Sequence, residues 1–303
     1  MIDLSLWAKL PLHAPLVHSI SNIVSANDCA NLLLAVGARP IMAQAPQEAA
    51  CITESCSATV LNLGTPDDSK YLACLRAGLR ANELGHPVVI DPVGVGASPY
   101  RVEHVSEILR QVHPAILRAN AAEVQALLGK VVPSSGVDSP LSCDAALPAL
   151  AAELANRLQC VVFVSGAEDI ITDGSSCWAV RGGCERTRFV TGSGCMLTVL
   201  CGAASTETTP LAAALSAAAA WKYCAFRAEQ LCTERAGLGR YHMALLDAAC
   251  TLADRPALPP SLSIRPLPLS PQEPPLWPQC QNEGSLYIFS YNMGTAKYFA
   301  ISA

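Results

Sequence analysis

Short apolar segments alternate with longer helical patterns through the central part of this 303-residue chain, and this alternation restricts its fold more than any other feature. The strand-like runs lie at residues 60–64, 87–91, 115–118 and 160–165. The helical patterns between them lie at residues 67–84, 102–112 and 121–128. Because parallel strands are joined through crossover helices, the alternation predicts βαβ units and a mainly parallel sheet flanked by helices. The last run is apolar throughout, which predicts a strand buried on both faces.

A different pattern follows this region. Residues 168–172 and 177–180 are joined by Asp173-Gly174, which predicts a hairpin at one edge of the sheet. After the hairpin the chain is predicted to be helical, mainly at residues 211–231 and 241–252.

Beyond Asp254 the chain is rich in proline and loses its periodicity. We therefore predict one folded domain over residues 1–254 and a Pro-rich, poorly ordered extension over residues 255–303. Within the extension only residues 286–290 have the pattern of a strand.

Composition and charge exclude several classes of function. The chain is 51% hydrophobic, but its most apolar stretch, residues 211–221, is shorter than the roughly 18–20 apolar residues of a membrane span. The first residues lack a basic segment followed by an apolar one, so no signal peptide is predicted. The net charge is −5 and no basic block occurs. We therefore expect neither a membrane nor a nucleic-acid partner.

The 14 cysteines are scattered, and none forms a Cys-x-x-Cys pair. This spacing matches neither a zinc site nor a small disulfide-stapled domain. Most of these cysteines are interpreted as small buried apolar residues in a reducing compartment, and we expect a cytoplasmic protein.

The turn Thr191-Gly192-Ser193-Gly194-Cys195 comes directly before a helical pattern. Glycines at a helix N-terminus leave backbone N–H groups open to an anion, most often a phosphate, although such turns also serve only helix–strand packing. Helix N-termini favour thiolate, so the sequence predicts a lowered pKa for Cys195. That side chain is a candidate proton acceptor or an orienting contact for a substrate hydroxyl.

Polar residues at the carboxyl ends of the predicted strands are candidate ligand contacts, because open parallel sheets bind ligands there. Asp91 is interpreted as an indirect magnesium ligand or as a turn former. Arg118 is a phosphate clamp or a surface charge, and Ser165 is a nucleotide contact or a plain turn serine. Glu123 is a second magnesium-linked carboxylate or the partner of Asn120 in a capping box.

Two further segments carry candidate pocket residues. His18-Ser19-Ile20-Ser21-Asn22 precedes a helical pattern with several polar residues, which either cap and solvate the helix or line a small-molecule pocket. Met42 follows a short apolar run and is by itself more typical of a core than of a ligand contact.

Taken in order, these segments resemble those of the hydroxyethylthiazole kinase family within the ribokinase-like superfamily. The resemblance covers residues 16–252 and rests on Pro15-Leu16-Val17-His18-Ser19-Ile20-Ser21-Asn22, Asn27-Asp28-Cys29-Ala30-Asn31, Gly37-Ala38-Arg39-Pro40-Ile41-Met42-Ala43, Asp91-Pro92-Val93-Gly94-Val95-Gly96-Ala97, Arg118-Ala119-Asn120-Ala121-Ala122-Glu123 and the Gly-x-Gly-Cys turn. It implies a doubly wound α/β fold and a homotrimer with thiazole pockets between subunits. It also implies magnesium-dependent transfer of the ATP γ-phosphate to the hydroxyl of 4-methyl-5-(2-hydroxyethyl)thiazole, in thiamine biosynthesis and salvage.

The resemblance assigns roles to nine residues. It places Met42, Gly192 and Asn22 at the thiazole, and Arg118, Ser165 and Gly194 at ATP. It places Asp91 and Glu123 at Mg2+, and Cys195 at the reacting hydroxyl. The last of these stands where many ribokinase-like relatives have an aspartate base.

The chain departs from the family pattern in a few places. Ala119 stands where relatives have glycine, Ser165-Gly166-Ala167 stands for Thr-Gly-Glu, and the extension matches nothing. Two alternatives therefore remain at this stage: a related kinase for a hydroxymethylpyrimidine or pyridoxal-type alcohol, and a non-catalytic paralogue that binds thiazole or ATP. A Rossmann oxidoreductase is disfavoured, since no Gly-x-Gly-x-x-Gly follows the first strand.

Overall fold

One nine-stranded sheet with helices on both faces forms the fold in the computed structural model, which describes residues 4–130, 146–232, 237–254 and 257–269. In chain order the strands are β1 (Leu16–Ile20), β2 (Arg39–Ile41), β3 (Ala58–Asn62), β4 (Val88–Asp91), β5 (Ile116–Ala119), β6 (Val161–Val164), β7 (Glu168–Thr172), β8 (Cys177–Arg181) and β9 (Ser263–Leu267). The spatial order is β2-β1-β3-β4-β5-β6-β7-β8-β9. Strands β1 to β6 pair in parallel and the last three are antiparallel, which confirms the predicted α/β fold.

The helices follow the predicted positions closely. They are α1 (Leu10–His13), α2 (Ala26–Ala35), α3 (Ala49–Glu54), α4 (Asp68–Glu83), α5 (Pro99–Gln111), α6 (Ala121–Leu127), α7 (Leu147–Leu158), α8 (Ser193–Ala204), α9 (Pro210–Leu231) and α10 (Leu238–Cys250), with short 3-10 helices at Leu4–Ala8, Val95–Ala97, Glu185–Phe189 and Thr251–Asp254. Within the described ranges, no helix is both long and apolar enough to cross a bilayer.

Local side-chain hydrogen bonds fix where the helices near the strand ends begin. The Asp67 carboxylate accepts from the backbone N–H of Lys70 at 2.8 Å and caps α4. The predicted capping box at α6 is confirmed, because the side chains of Asn120 and Glu123 each accept from the other's backbone N–H. Such caps typically contribute about 1 kcal/mol each, so the turns that follow these strands are well defined.

The core lies on both faces of the sheet because alternate strand residues point to opposite sides. Val60 and Val89 pack into the cluster that α8, α9 and α10 cover, whereas their neighbours Leu61 and Ile90 pack into the cluster under α4, α5 and α7. The first cluster is rich in alanine, which lets the helices lie close to the sheet. The cysteines of the described segments are all free thiols, most of them buried as the sequence predicts.

The sheet continues further than the sequence predicts. Strands β7 and β8 form the expected hairpin, but β9 pairs antiparallel with β8, so the hairpin is not at the edge. Strand β9 lies in the segment predicted to be poorly ordered, and that prediction is wrong for Ser263–Leu267. An edge strand is held mainly by main-chain hydrogen bonds, so this exposed segment with Pro266 needs no apolar alternation.

The boundary at residue 254 stays a prediction. Residues 270–303, with the strand predicted at residues 286–290, lie outside the described residues.

We expect Gly202→Ala to lower the stability of the fold. A Cβ on Gly202 in α8 would lie 2.4 Å from Cγ2 of Val60 on β3, and a stiff β-branched side chain cannot move away without disturbing the core. The free energy of unfolding, measured by urea denaturation, should fall by about 1–3 kcal/mol. Gly239→Ala in α10 is the matched control, because nothing lies within 4 Å of its added Cβ. Equal stability of the two variants would contradict the close helix–sheet packing.

Candidate active site

The carboxyl ends of the parallel strands bring the predicted polar residues to one edge of the sheet. Asn62 and Asp91 end β3 and β4 and lie side by side in the strand register. Arg118 lies on the next strand, β5, and Ser165 directly follows β6. The N-terminal turn of α8 contacts this row, so the site is built from four neighbouring strands and one helix end.

Asp91 is the buried carboxylate at the centre of the site. Its Oδ2 accepts hydrogen bonds from Asn62 Nδ2 at 3.0 Å and from Thr198 Oγ1 on α8 at 2.8 Å. Its Oδ1 lies 3.5 Å from Arg118 Nη1 in an ion pair, but no hydrogen-bond partner for Oδ1 is found among the described residues. Burial raises the pKa of Asp91 against the opposing effect of the Arg118 charge.

The Arg118 guanidinium links the other predicted residues. It donates to the Ser165 hydroxyl on one side and pairs with Asp91 on the other. Burial acts to lower the pKa of Arg118, but the charges of Asp91 and Glu123 outweigh it and the pKa is raised. Gly194 comes so close that a Cβ there would lie 2.6 Å from Arg118 Nη1. The structure therefore brings a fixed positive charge against the backbone of the α8 turn.

Glu123 lies beside this pair and is almost fully buried. Its two carboxylate oxygens accept from the backbone N–H groups of Gly94 and Asn120, each at 2.8 Å. Burial and the negative charge of Asp91 both raise the pKa of Glu123. The capping role predicted for this residue is thus observed, and the same side chain also faces the charge of Asp91.

The α8 turn has the geometry of an anion site. Gly192 has a φ of +79°, and a Cβ on it would lie 2.5 Å from Cβ of Ser25. Both the backbone conformation and the close packing therefore require glycine. The first-turn N–H groups of a helix have no intrahelical acceptor, so the turn presents donors and a partial positive charge beside Arg118.

Cys195 lies in this turn, but the prediction of a lowered pKa is wrong. Burial raises the pKa of the Cys195 thiol, and the nearby charge of Asp91 raises it further. Cys195 is only 8% exposed, so the loss of water around a thiolate outweighs the hydrogen bond with Ser25 and the Arg118 charge. The group is therefore a neutral thiol at neutral pH.

Asn22 follows β1 and is held by a second group of polar residues. Its Oδ1 accepts from Thr65 Oγ1 at 3.1 Å, and Thr65 has a φ of +44°, a conformation that non-glycine residues rarely adopt. The buried ammonium of Lys70 donates to the carbonyls of Ser21 and Gly64 on either side of this contact. Asn22 is therefore fixed in place before any ligand arrives.

Met42 lies farther along the sheet from Asp91 than the other predicted residues do, and β1, which leads to Asn22, is its neighbouring strand. Met42 follows the edge strand β2 and packs, half-buried, against the core. Three strand spacings separate β2 from β4, which corresponds to about 14 Å.

Several contributors were missed at the level of sequence. Thr198, Asn62, Ser25 and Lys70 take part in the contacts described above, yet no motif marks them. The available signals were weak: Thr198 is a polar residue in an apolar helix three positions after Cys195, and Asn62 is a polar residue at a strand end.

Comparison with known proteins agrees with this geometry. The model of the hydroxyethylthiazole kinase family matches residues 8–255. A hydroxyethylthiazole kinase of Exiguobacterium sp. is 41% identical over 246 residues, which cover 80% of this chain and 91% of that protein. Another, from Nitratidesulfovibrio vulgaris, is 47% identical over 193 residues, with coverages of 64% and 72%.

Solved structures give the same relationship. The structure of a hydroxyethylthiazole kinase protein from Pyrococcus horikoshii OT3 has a TM-score of 0.76 and 32% identity, and the match covers 88% of this chain and 98% of that one. A pyridoxal kinase from Staphylococcus aureus, at 15% identity and a TM-score of 0.52 over 70% of this chain and 88% of that one, shares the fold alone. Because the family model spans most of the folded domain, this chain belongs to the hydroxyethylthiazole kinase family.

Proposed function

We propose that this protein transfers the γ-phosphoryl group of ATP to the hydroxyl of 4-methyl-5-(2-hydroxyethyl)thiazole, a step of thiamine salvage. The observation that carries the proposal is the Arg118 guanidinium, fixed between Asp91 and Ser165 directly against the glycine-lined N-terminus of α8. A planar cation beside open backbone donors is suited to a phosphoryl group. Membership of the kinase family supports the same chemistry.

Phosphoryl transfer depends mainly on positioning and on neutralisation of charge. Arg118 and the backbone donors of the α8 turn would stabilise the negative charge of the transferring group. In a loose transition state the acceptor hydroxyl loses its proton late, so a strong base contributes little. The neutral thiol of Cys195 would therefore orient the hydroxyl rather than act as a thiolate base.

Asp91 at the end of β4 and Glu123 on α6 fit a magnesium ion. Among the described residues Asp91 Oδ1 has no hydrogen-bond donor, and the negative charge of Asp91 raises the pKa of Glu123. Hard cations prefer carboxylate oxygens. The described ranges contain no group of three His, Cys, Asp or Glu side chains that could hold a metal ion. Two carboxylates are compatible with Mg2+, because this ion usually keeps several of its waters. Asp91 and Glu123 would hold Mg2+, and the chemistry that the ion would supply there is neutralisation of phosphate charge.

The proposed activity is tested by incubating the protein with ATP, Mg2+ and one alcohol at a time: hydroxyethylthiazole, a hydroxymethylpyrimidine, pyridoxal or ribose. We expect mass spectrometry to detect phosphorylated thiazole, and its formation to stop when EDTA removes the metal. Phosphorylation of another alcohol instead would reject the proposed substrate. ATP binding without any product would reject the activity and favour a non-catalytic paralogue.

Substitutions in the site should separate the roles of charge and thiol. Arg118→Ala removes the cation and leaves Asp91 buried without its ion-pair partner, so we expect single-turnover phosphorylation to slow by about 100-fold or more. Cys195→Ser keeps a small neutral group that can contact the substrate hydroxyl, and its rate should stay within about tenfold of wild type. The reverse order of the two effects would contradict the proposed mechanism.

We further propose that the protein acts as a homotrimer with the thiazole pocket between subunits. Met42 and Asn22 follow β2 and β1, the last two strands at one end of the sheet, so a neighbouring copy that covers this end would complete a pocket beside them. Large apolar residues are exposed to solvent on α2 and α10, two helices that pack against each other. Ile23, just before α2, is 76% exposed, Leu34 on α2 is 58% exposed, and Met243 on α10 is 59% exposed. Apolar surface of this kind is typical of an interface between subunits.

Ile23→Asp should dissociate the trimer and reduce phosphorylation, because it places a charge in the apolar surface next to Asn22. Light scattering coupled to gel filtration should give the mass of three chains for wild type and a smaller mass for the variant. Leu12→Asp on α1 is the matched control, because Leu12 is 80% exposed but lies on neither α2 nor α10. A monomeric wild type with full activity would reject the proposal.

A further inference from the structure

A buried lysine on α9 holds the segment that follows β6. Lys222 Nζ donates to the carbonyls of Gly166 at 2.9 Å and Ala167 at 3.2 Å, and it lies 3.3 Å from Oδ1 of Asp169. The side chains of Lys222 and Asp169 are only 10% and 3% exposed. An ammonium group has three N–H donors, and three acceptors surround this one. Lys222 is therefore engaged by the protein itself and is not a ligand contact.

Asp169 holds the peptide that precedes Gly166, whereas Lys222 holds the one that follows it. Oδ1 of Asp169 accepts from the backbone N–H of Gly166 at 2.9 Å. The N–H and the carbonyl of Gly166 are thus both fixed by one buried ion pair. Gly166 directly follows Ser165, the residue whose hydroxyl contacts Arg118, so the ion pair acts one peptide away from the candidate nucleotide site.

Burial of the Lys222–Asp169 pair costs free energy, because both charged groups lose their hydration. Lys222 follows a run of buried alanines in α9, where an apolar side chain would pack without loss of hydration. A buried ion pair is often no more stabilising than apolar residues of the same volume, and it fixes geometry through directed hydrogen bonds. Here those bonds go to main-chain groups of a turn rather than to other side chains.

We propose that Lys222 and Asp169 are positioning residues for the nucleotide: together they hold the turn Ser165-Gly166-Ala167 so that Ser165 and Arg118 meet the ATP phosphates in a fixed geometry. This inference rests on the proposed ATP site. The carbonyls and the N–H that Lys222 and Asp169 hold belong to the backbone, so this pair, the Lys222–Asp169 clamp, can hold the turn with any side chain at residue 167.

The test compares Lys222→Met with Lys130→Met, in steady-state kinetics and in calorimetric titration with ATP alone. Lys130 forms an exposed ion pair with Glu153 at 3.0 Å and is the matched control. We expect Lys222→Met to raise the KM for ATP and the Kd of ATP by about tenfold, because the turn loses hydrogen bonds from a charged donor. The KM for the alcohol should stay within about twofold of wild type, and the control should change neither constant.

A double variant, Lys222→Met with Asp169→Asn, removes the unpaired buried charge that Lys222→Met leaves behind. Its thermal midpoint should return toward that of wild type, whereas its ATP constants should stay raised because the two carbonyls still lack their donor. A lowered thermal midpoint with unchanged ATP constants in both variants would overturn the proposal and leave the pair a structural role.

The outcomes also separate this inference from the proposed activity. If wild type binds ATP but phosphorylates no thiazole alcohol, the proposed activity is rejected. A Kd of ATP that is tenfold higher for Lys222→Met than for wild type would still support the clamp. If wild type phosphorylates the thiazole alcohol and Lys222→Met does so with unchanged ATP constants, the clamp alone is rejected.

Discussion

The buried ion pair between Arg118 and Asp91 is the interaction on which the rest of the site depends. Burying two opposite charges costs hydration, and additional hydrogen bonds to the pair offset part of that cost. Ser165 supplies one for the guanidinium, and Asn62 and Thr198 supply two for the carboxylate. These partners come from β3, from the turn after β6 and from α8, so the pair ties the ends of the sheet to the helix that covers them.

Close approach of backbone to this charge explains where glycine is required. A side chain on Gly194 would collide with Arg118, and one on Gly192 would collide with Ser25 as well as strain its backbone. The same short distances place the helix N-terminus beside the guanidinium, where an anion can bind. Packing of the core and the chemistry of the site thus have one geometric cause, the small separation between α8 and the strand ends.

Buried ammonium groups stabilise the turns on both sides of this centre. Lys70 bonds to carbonyls in the turns after β1 and β3, and Lys222 bonds to carbonyls in the turn after β6. Backbone carbonyls that leave the ends of a parallel sheet lack ladder partners, and a lysine can satisfy two of them at once. The two lysines therefore fix backbone groups on both sides of the Arg118–Asp91 pair.

The alternation of strands and helices in the central region, the polar residues at the strand ends and the capping box at α6 follow from the sequence alone, because they depend on periodicity and on neighbours within a few positions. The sequence could not determine the pKa of Cys195, the partners of Thr198 and Lys222, or the strand β9. Those depend on groups distant along the chain: Thr198 meets Asp91, Lys222 meets Gly166, and β9 is held by β8. Burial and hydrogen bonding between distant segments exist only after folding, so these features are visible only in the folded protein.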